Sequence, residues 1–201
     1  MLRIFRRRAG NTTVSETELA RRLSTVDYRC TCCDEPVHLR HGPSLRPLGW
    51  ADPPAPAPDE ALDQPGDVLT ENYARRGRDM LLRATLPLAI KGTDGHVMPQ
   101  VWANLSTGDF ARFRAAQGRG EADRLGDLAA WLYVRIPASS GPVLNKGVIV
   151  PVAGGHTPVF WITDPKHPLH AAQHHGGLSA QEVIALYRDL GATTFLQHLM
   201  Q

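Results

Sequence analysis

Residues 80–90 read MLLRATLPLAI, an apolar run that is interrupted by Arg83 and, near its end, by Pro87. A leucine-rich run of this length predicts a strand, and the proline predicts that the strand reaches a sheet edge or a bend there. A second strand is predicted at 101–105, ending at Ser106. These two segments indicate that a β-sheet forms the core of the chain.

Two further strands are predicted towards the C-terminus, at 143–152 and 159–162. Both segments are rich in β-branched or aromatic residues, and the turn residues Gly154 and Gly155 lie between them. These segments add two strand candidates to the predicted sheet.

Helical spacing appears between the two strand pairs. Ser106-Thr-Gly-Asp109 predicts a helix start, with Phe110 and Phe113 on one face and Gly118 and Gly120 at the end. A second helix is predicted from the apolar spacing of Leu125, Leu128, Ala129 and Leu132.

The final helix is predicted to begin at Ser179. Ser179-Ala-Gln-Glu182 matches a capping box. One apolar face follows it, formed by Val183, Leu186, Tyr187 and Leu190. Strand pairs interleaved with helices predict an α+β fold with a mostly antiparallel sheet flanked by helices.

Composition divides the chain into four parts. Residues 1–27 form a basic arm and a short helix that begins near Ser15, and residues 28–48 form a Cys/His knuckle. Residues 49–66 are dense in proline and acidic side chains and predict a surface loop. Residues 67–201 form the α+β body.

The overall composition is that of a globular protein, with 42% hydrophobic and 21% charged residues among 201. The net charge of +2 gives no support for nucleic acid as a partner. The basic start is followed by no apolar run of secretory or membrane-spanning length. Three cysteines in one turn fit a reducing compartment, so we expect a cytoplasmic protein without a membrane span.

The cysteine turn predicts a metal site. Residues 28–38, YRCTCCDEPVH, hold all three cysteines and a histidine. Cys30 and Cys33 have the spacing of a thiolate pair that binds Zn²⁺, and His38 supplies a third ligand. Candidates for an additional ligand are Cys32, His41, and the distant His167, His170 and Asp164. The alternative is that these cysteines are ordinary thiols in a turn.

Histidines are also concentrated at 166–175, KHPLHAAQHH, just after Asp164. Imidazoles and a carboxylate so close together bind a metal or supply a general base. Pro168, however, biases His167 towards an extended conformation, which separates it from His170. The sequence therefore favours a structural turn that closes the sheet and leads to the last helix, with His174 and His175 exposed.

Four segments in a fixed order resemble one bacterial family. They are Tyr-x-Cys-x-x-Cys followed by a histidine, Leu-Arg-x-x-Leu-Pro at 82–87, Val-Trp-x-x-Leu-Ser at 101–106, and Asp-x-x-His-Pro-Leu at 164–169. This order is similar to the family catalogued as domain of unknown function 2199. The resemblance implies a small intracellular bacterial protein with an N-terminal Cys/His knuckle and a compact α+β body, and it implies no activity.

The sequence lacks the serine-nucleophile elbow, the phosphate-binding loop and the dinucleotide-binding fingerprint. We therefore expect a zinc-stapled protein-interaction or inhibitor-type module whose partner is another protein. The competing hypothesis is a metal-dependent enzyme, in which the knuckle leaves an open coordination position near His167 and Asp164. Arg83, Arg135 and Lys146 either line an anionic pocket or lie on solvated strand faces.

Overall fold

The computed structural model of the chain describes residues 15–24, 27–29, 36–38, 55–134 and 145–189, together with 196, 197 and 199. For 27–29 and 36–38 only the main chain is described. The cysteines Cys30, Cys32 and Cys33, together with His41 and Arg135, lie outside these ranges.

In chain order the described elements are α1 (Glu16–Ser24), β1 (Asp27–Arg29), β2 (Pro36–His38), β3 (Val68–Leu69), β4 (Tyr73–Arg76), β5 (Asp79–Thr85), β6 (Leu88–Ala89), β7 (His96–Val97), β8 (Gln100–Leu105), α2 (Thr107–Gly118), β9 (Leu128–Leu132), β10 (Asn145–Val150), β11 (Val159–Ile162), α3 (Pro168–His174) and α4 (Ala180–Asp189). Short 3₁₀ turns occur at Asp59–Asp63, Ala122–Leu125 and Ala153–Gly155.

The main sheet closes into a five-stranded barrel in the order β5-β8-β9-β10-β11, and β4 and β3 extend it from β5. Apart from the contact that closes the barrel, every pairing of this sheet is antiparallel, as the sequence predicts. The closing contact between β11 and β5 is parallel, with Val159 opposite Thr85. The Thr85 N–H donates to the Pro158 carbonyl at 2.9 Å. Closure removes two exposed strand edges, and no feature of the sequence predicted it.

Side-chain alternation fills the barrel interior. On β9, Leu128, Ala130 and Leu132 are buried, whereas the residues between them are exposed. On the neighbouring strands Ile149 and Phe160 also point inward and are fully buried. This period of two is the signature of strands that have one face on a core.

The predicted helix at 125–132 is wrong, because its second half is β9. Leu128 and Leu132 lie on one face of a helix and also on one face of a strand, so their spacing alone does not separate the two. The decision comes from strands that are distant in sequence. β8 and β10 pair with β9 on both sides, and their hydrogen bonds and side-chain contacts override the helical preference of the alanines.

The other predicted helix starts are confirmed. Ser106 caps α2, accepting a hydrogen bond from the Asp109 N–H at 3.0 Å. Ser179 and Glu182 form the reciprocal capping box before α4: the Ser179 N–H donates to the Glu182 carboxylate at 2.8 Å, and the Glu182 N–H donates back to the Ser179 hydroxyl at 3.2 Å. α2 buries Phe110 and Phe113, and α4 buries Val183, Leu186 and Tyr187, whereas Leu190 lies outside the described residues.

Within the described ranges, none of the helices is both long and apolar enough to cross a membrane. The longest of them, α2, has 12 residues, and a membrane-spanning helix needs about 20.

Candidate functional site

The N-terminal strands β1 and β2 form an antiparallel hairpin. Arg29 is opposite Pro36 and Asp27 is opposite His38. Residues 30–35 connect the two strands, and they include all three cysteines of the chain. The structure thus describes the strands that flank the predicted thiolate pair, while the cysteines themselves lie outside the described residues.

His38, the predicted third ligand, is at the end of the ladder that is remote from the cysteines. It is two residues beyond Pro36, which corresponds to about 6.6 Å along the strand. Cys32 and His41 lie outside the described residues, so their roles as additional ligands stay predictions.

The second predicted site, around 164–175, is built differently from either expectation. Pro168 begins α3 instead of preventing it, because proline at the first helical position has the required φ and loses no hydrogen bond. His167 is the extended residue before the helix, as predicted, and its Nδ1 accepts the Leu169 N–H at 3.1 Å. The imidazole of His167 caps the helix and is therefore positioned structurally.

The surroundings of His167 make it a poor ligand or general base. The residue is 6% exposed, and none of the residues that the structure describes forms a hydrogen bond with its buried Nε2. Burial lowers the pKa of His167, with Asp164 raising it and His170 lowering it to a smaller extent. Asp164 itself accepts the Lys166 N–H at 2.9 Å, which fixes the turn before α3.

The remaining histidines of this segment lie together at the end of α3. The ring centroids of His170 and His174 are 4.3 Å apart. The ring centroid of His175 lies 5.8 Å from that of His170 and 6.0 Å from that of His174. Desolvation lowers the pKa of His170, and His174 and His175 lower it further. Across the described part of the chain, however, no three His, Cys, Asp or Glu side chains are arranged to hold a metal ion. The structure therefore does not assemble the predicted Asp164, His167 and His170 into a metal site.

α3 instead completes the barrel wall, which the sequence analysis missed. The side-chain amide of Gln173 accepts the Ile162 N–H and donates to the Phe160 carbonyl, both at 2.8 Å. The His174 Nε2 lies 3.1 Å from the Ile162 carbonyl oxygen. The segment thus forms a helix rather than the predicted turn, and it bonds to the edge of β11 beyond the β11–β5 pairing that closes the barrel.

The outer surface of β9, β10 and β11 carries an apolar patch, here called the tryptophan face, formed by Ala129, Trp131, Lys146, Val148 and Trp161. Trp131 is opposite Lys146, and Val148 is opposite both Ala129 and Trp161. Among the described residues, Trp131 is the large hydrophobic side chain that is exposed, at 38%. The His174 ring lies 5.4 Å from the Trp161 ring and borders the patch.

Arg83 lies where the edge of β5 passes from one partner strand to another. Its N–H donates to the Asn72 carbonyl just before β4, whereas the Thr85 N–H donates to the Pro158 carbonyl just before β11. β4 and β11 diverge from this point, and a cavity of about 260 Å³ opens between them. Of the three residues suggested for an anionic pocket, Arg83 lines this cavity, and Lys146 belongs to the tryptophan face.

Comparison with known proteins identifies one family. The model of a family described as uncharacterised protein conserved in bacteria, domain of unknown function 2199, matches residues 29–177, well over half of the chain. No curated protein and no solved structure matches the chain.

Proposed function

The chain belongs to the bacterial family of uncharacterised proteins designated domain of unknown function 2199, and we propose that it is a protein-recognition or inhibitor-type module whose N-terminal hairpin is held by a zinc ion. The observation that carries the zinc proposal is the β1–β2 hairpin. Its ladder brings residues 29 and 36 opposite each other and confines the three cysteines to the short connection between them.

A metal ion gives this hairpin a source of stability that its length does not supply. Each strand has three residues, and an isolated two-stranded hairpin is marginal in water. Thiolates at Cys30 and Cys33, with His38 and one further ligand, would complete the tetrahedral shell that structural zinc prefers. Metal binding would then contribute directly to the folding free energy of the hairpin. A reducing cytoplasm, which we also propose, would keep the thiols available.

The tryptophan face supports recognition of another protein. Exposed aromatic residues surrounded by smaller apolar ones are typical of the energetic centre of protein interfaces. Lys146 lies directly across from Trp131, about 5 Å between Cβ atoms for such a pair. This juxtaposition fits a partner that presents apolar side chains around a carboxylate, because the carboxylate would pair with Lys146 while Trp131 is buried.

The competing hypothesis, a metal-dependent enzyme, receives less support from the geometry. It requires His167 as a general base beside the knuckle metal. Instead the Nδ1 of His167 is occupied by the Leu169 N–H, and its Nε2 is buried. A base has to reach the proton that it removes, and this imidazole is enclosed on both sides.

The zinc proposal is tested by metal analysis of the purified full chain and of two variants. About one zinc ion per chain is expected in the wild type. The double substitution Cys30→Ser/Cys33→Ser should abolish binding and lower the melting temperature, and a chelator should have the same effect on the wild type. Cys32→Ser decides between the candidates for the further ligand: retained zinc would exclude Cys32, and lost zinc would identify Cys32 as that ligand. A metal-free wild type with a melting temperature that a chelator does not change would reject the proposal.

The recognition proposal is tested separately with immobilised full-length protein. A partner should be retained from bacterial extract by the wild type and by the control Arg112→Ala, which alters an exposed side chain on α2. The same partner, once purified, should bind Trp131→Ala and Lys146→Glu about tenfold or more weakly. Equal binding to all four proteins would rule out the tryptophan face as the contact surface.

A further inference from the structure

We propose that the imidazoles of His170, His174 and His175, here called the histidine cluster, form a second charged part of the recognition surface and bind a further carboxylate of the partner with uptake of protons. This inference rests on the proposed recognition function and is independent of the zinc ion. It specifies the partner as an acidic segment in which two carboxylates lie on either side of apolar side chains. Binding of such a segment should tighten as the pH falls.

The histidine cluster adjoins the tryptophan face along β11. The ring centroid of His174 lies 5.4 Å from that of Trp161. The Nε2 of His174 is 3.1 Å from the Ile162 carbonyl oxygen, and an Nε2–H satisfies this contact in both the neutral and the protonated ring. His174 can therefore take up a proton at Nδ1 without leaving its place. His174 and His175 are exposed and His170 is half-buried, so a partner that covers Trp161 also reaches the cluster.

The fixed charge of Lys146 and the histidine cluster lie on opposite sides of Trp161. Lys146 is on β10, and Val148, two residues further along that strand, is opposite Trp161 on β11. α3 bonds to the other edge of β11 through Gln173. A segment laid across β10, β11 and α3 would thus meet a lysine, an aromatic ring and then imidazoles. Two carboxylates that flank apolar side chains complement this order, because each carboxylate meets a cation.

Crowding opposes protonation of the cluster in the free protein. Desolvation lowers the pKa of His170, and the two neighbouring imidazoles lower it further, while Asp164 in the turn before α3 raises it. Lys166 in the same turn is exposed. Of the strands packed against α3, β11 presents the uncharged Trp161 ring and β6 consists of two apolar residues. A partner carboxylate beside these rings would favour their protonated forms, so binding would take up protons.

The test uses a synthetic peptide with blocked ends in which two glutamates flank three leucines, and it follows the tryptophan fluorescence of the full chain. The dissociation constant should be about fivefold or more lower at about pH 6 than at about pH 7.5, because each proton taken up contributes at most about tenfold per pH unit. The glutamates stay ionised throughout this range, since their ordinary pKa is about 4.3. The analogue with two glutamines should bind equally at both pH values, which controls for any effect of acid on the fold.

Variants link the pH dependence to the cluster. The triple substitution His170→Gln/His174→Gln/His175→Gln should remove it, and glutamine keeps an N–H donor for the Ile162 carbonyl. His156→Gln alters an exposed histidine in the loop before β11 and should keep the full dependence. Independently, the NMR ring signals of His170 should titrate at a higher pH when the peptide is present.

The outcomes separate this inference from the recognition function on which it rests. An affinity that Trp131→Ala weakens but that does not change with pH would overturn the role of the cluster and leave the tryptophan face standing. A pH-dependent affinity that Trp131→Ala does not weaken would reject the tryptophan face and with it the joint surface. The absence of peptide binding at both pH values would overturn the two-carboxylate partner. Tighter binding of an oligothymidylate than of the peptide would indicate a phosphate backbone instead of a protein and would also overturn the proposal.

Discussion

The side-chain amide of Gln173 bonds to the main chain at Ile162 as a neighbouring strand would. It accepts the Ile162 N–H at 2.8 Å and also donates to the carbonyl of Phe160, two residues earlier on β11. β5 covers the same edge of β11 only at Val159. One glutamine on a seven-residue helix therefore completes the barrel wall where the parallel pairing stops.

This relationship predicts a stability loss on substitution. Gln173→Ala leaves two buried main-chain groups without partners, so the free energy of unfolding should fall by about 1–3 kcal/mol for each group lost. Gln173→Glu should be at least as harmful, because a carboxylate cannot donate to the Phe160 carbonyl. Urea denaturation measures the effect, and Gln181→Ala on the exposed side of α4 is the control. A Gln173→Ala midpoint equal to that of the control would show that α3 does not support the barrel.

Gly147 on β10 should tolerate no side chain. A Cβ at this position would overlap the Phe160 ring and the Trp161 carbonyl oxygen inside the barrel. Since the carbonyl belongs to the paired strand and cannot rotate away, Gly147→Ala should destabilise the protein by about 1–3 kcal/mol or more. Gly108→Ala, in the first turn of α2, has room for the methyl group and should be neutral or stabilising. Equal thermal stability of the two variants would refute the close approach.

His167 should make the fold sensitive to mild acid. Burial lowers its pKa from the ordinary value of 6.5, so the unfolded chain binds a proton more readily than the folded one. Its contribution is fully present above about pH 6.5 and is lost as the pH falls below that value, with a slope of at most about 1.4 kcal/mol per pH unit. Protonation would also remove the Nδ1 acceptor that caps α3.

Denaturation midpoints between about pH 5 and 8 measure this dependence. His167→Asn keeps a side-chain acceptor for the Leu169 N–H and removes the titrating group, so its curve should be flatter than that of the wild type. The variant His170→Asn distinguishes the effect of His167 from that of the neighbouring His170 imidazole, whose pKa is lowered as well. Parallel curves for the wild type and His167→Asn would show that His167 is not the source of the acid sensitivity.

The sequence predicted the local features of this fold better than its long-range ones. The starts of α2 and α4 were predictable because Ser106 and Ser179 bond to residues three positions away. β9 was mistaken for a helix because its leucines satisfy both periods, and the choice depends on β8 and β10. α3 was missed because Pro168 was interpreted only through its effect on the preceding residue, although proline is favoured at the first position of a helix.

The candidate sites show the same division. The hairpin around the cysteines follows from adjacent residues, and its strands were within reach of sequence reasoning. The cavity bordered by Asn72, Arg83 and Gln117 depends on the divergence of β4 and β11 from β5, which is a property of the closed barrel. Residues such as Gln117 and Asn72 carry no motif, so only the fold brings them beside Arg83. The tryptophan face likewise requires the register that sets Trp131 opposite Lys146.

X-ray absorption at the zinc edge of the purified full chain tests the central claim most directly, because it reports the atoms bound to the metal. A zinc ion held by the hairpin should show at least two sulfur ligands at about 2.3 Å together with nitrogen at about 2.0–2.1 Å. A shell of nitrogen and oxygen alone would contradict this account, since it would place any bound metal away from Cys30 and Cys33.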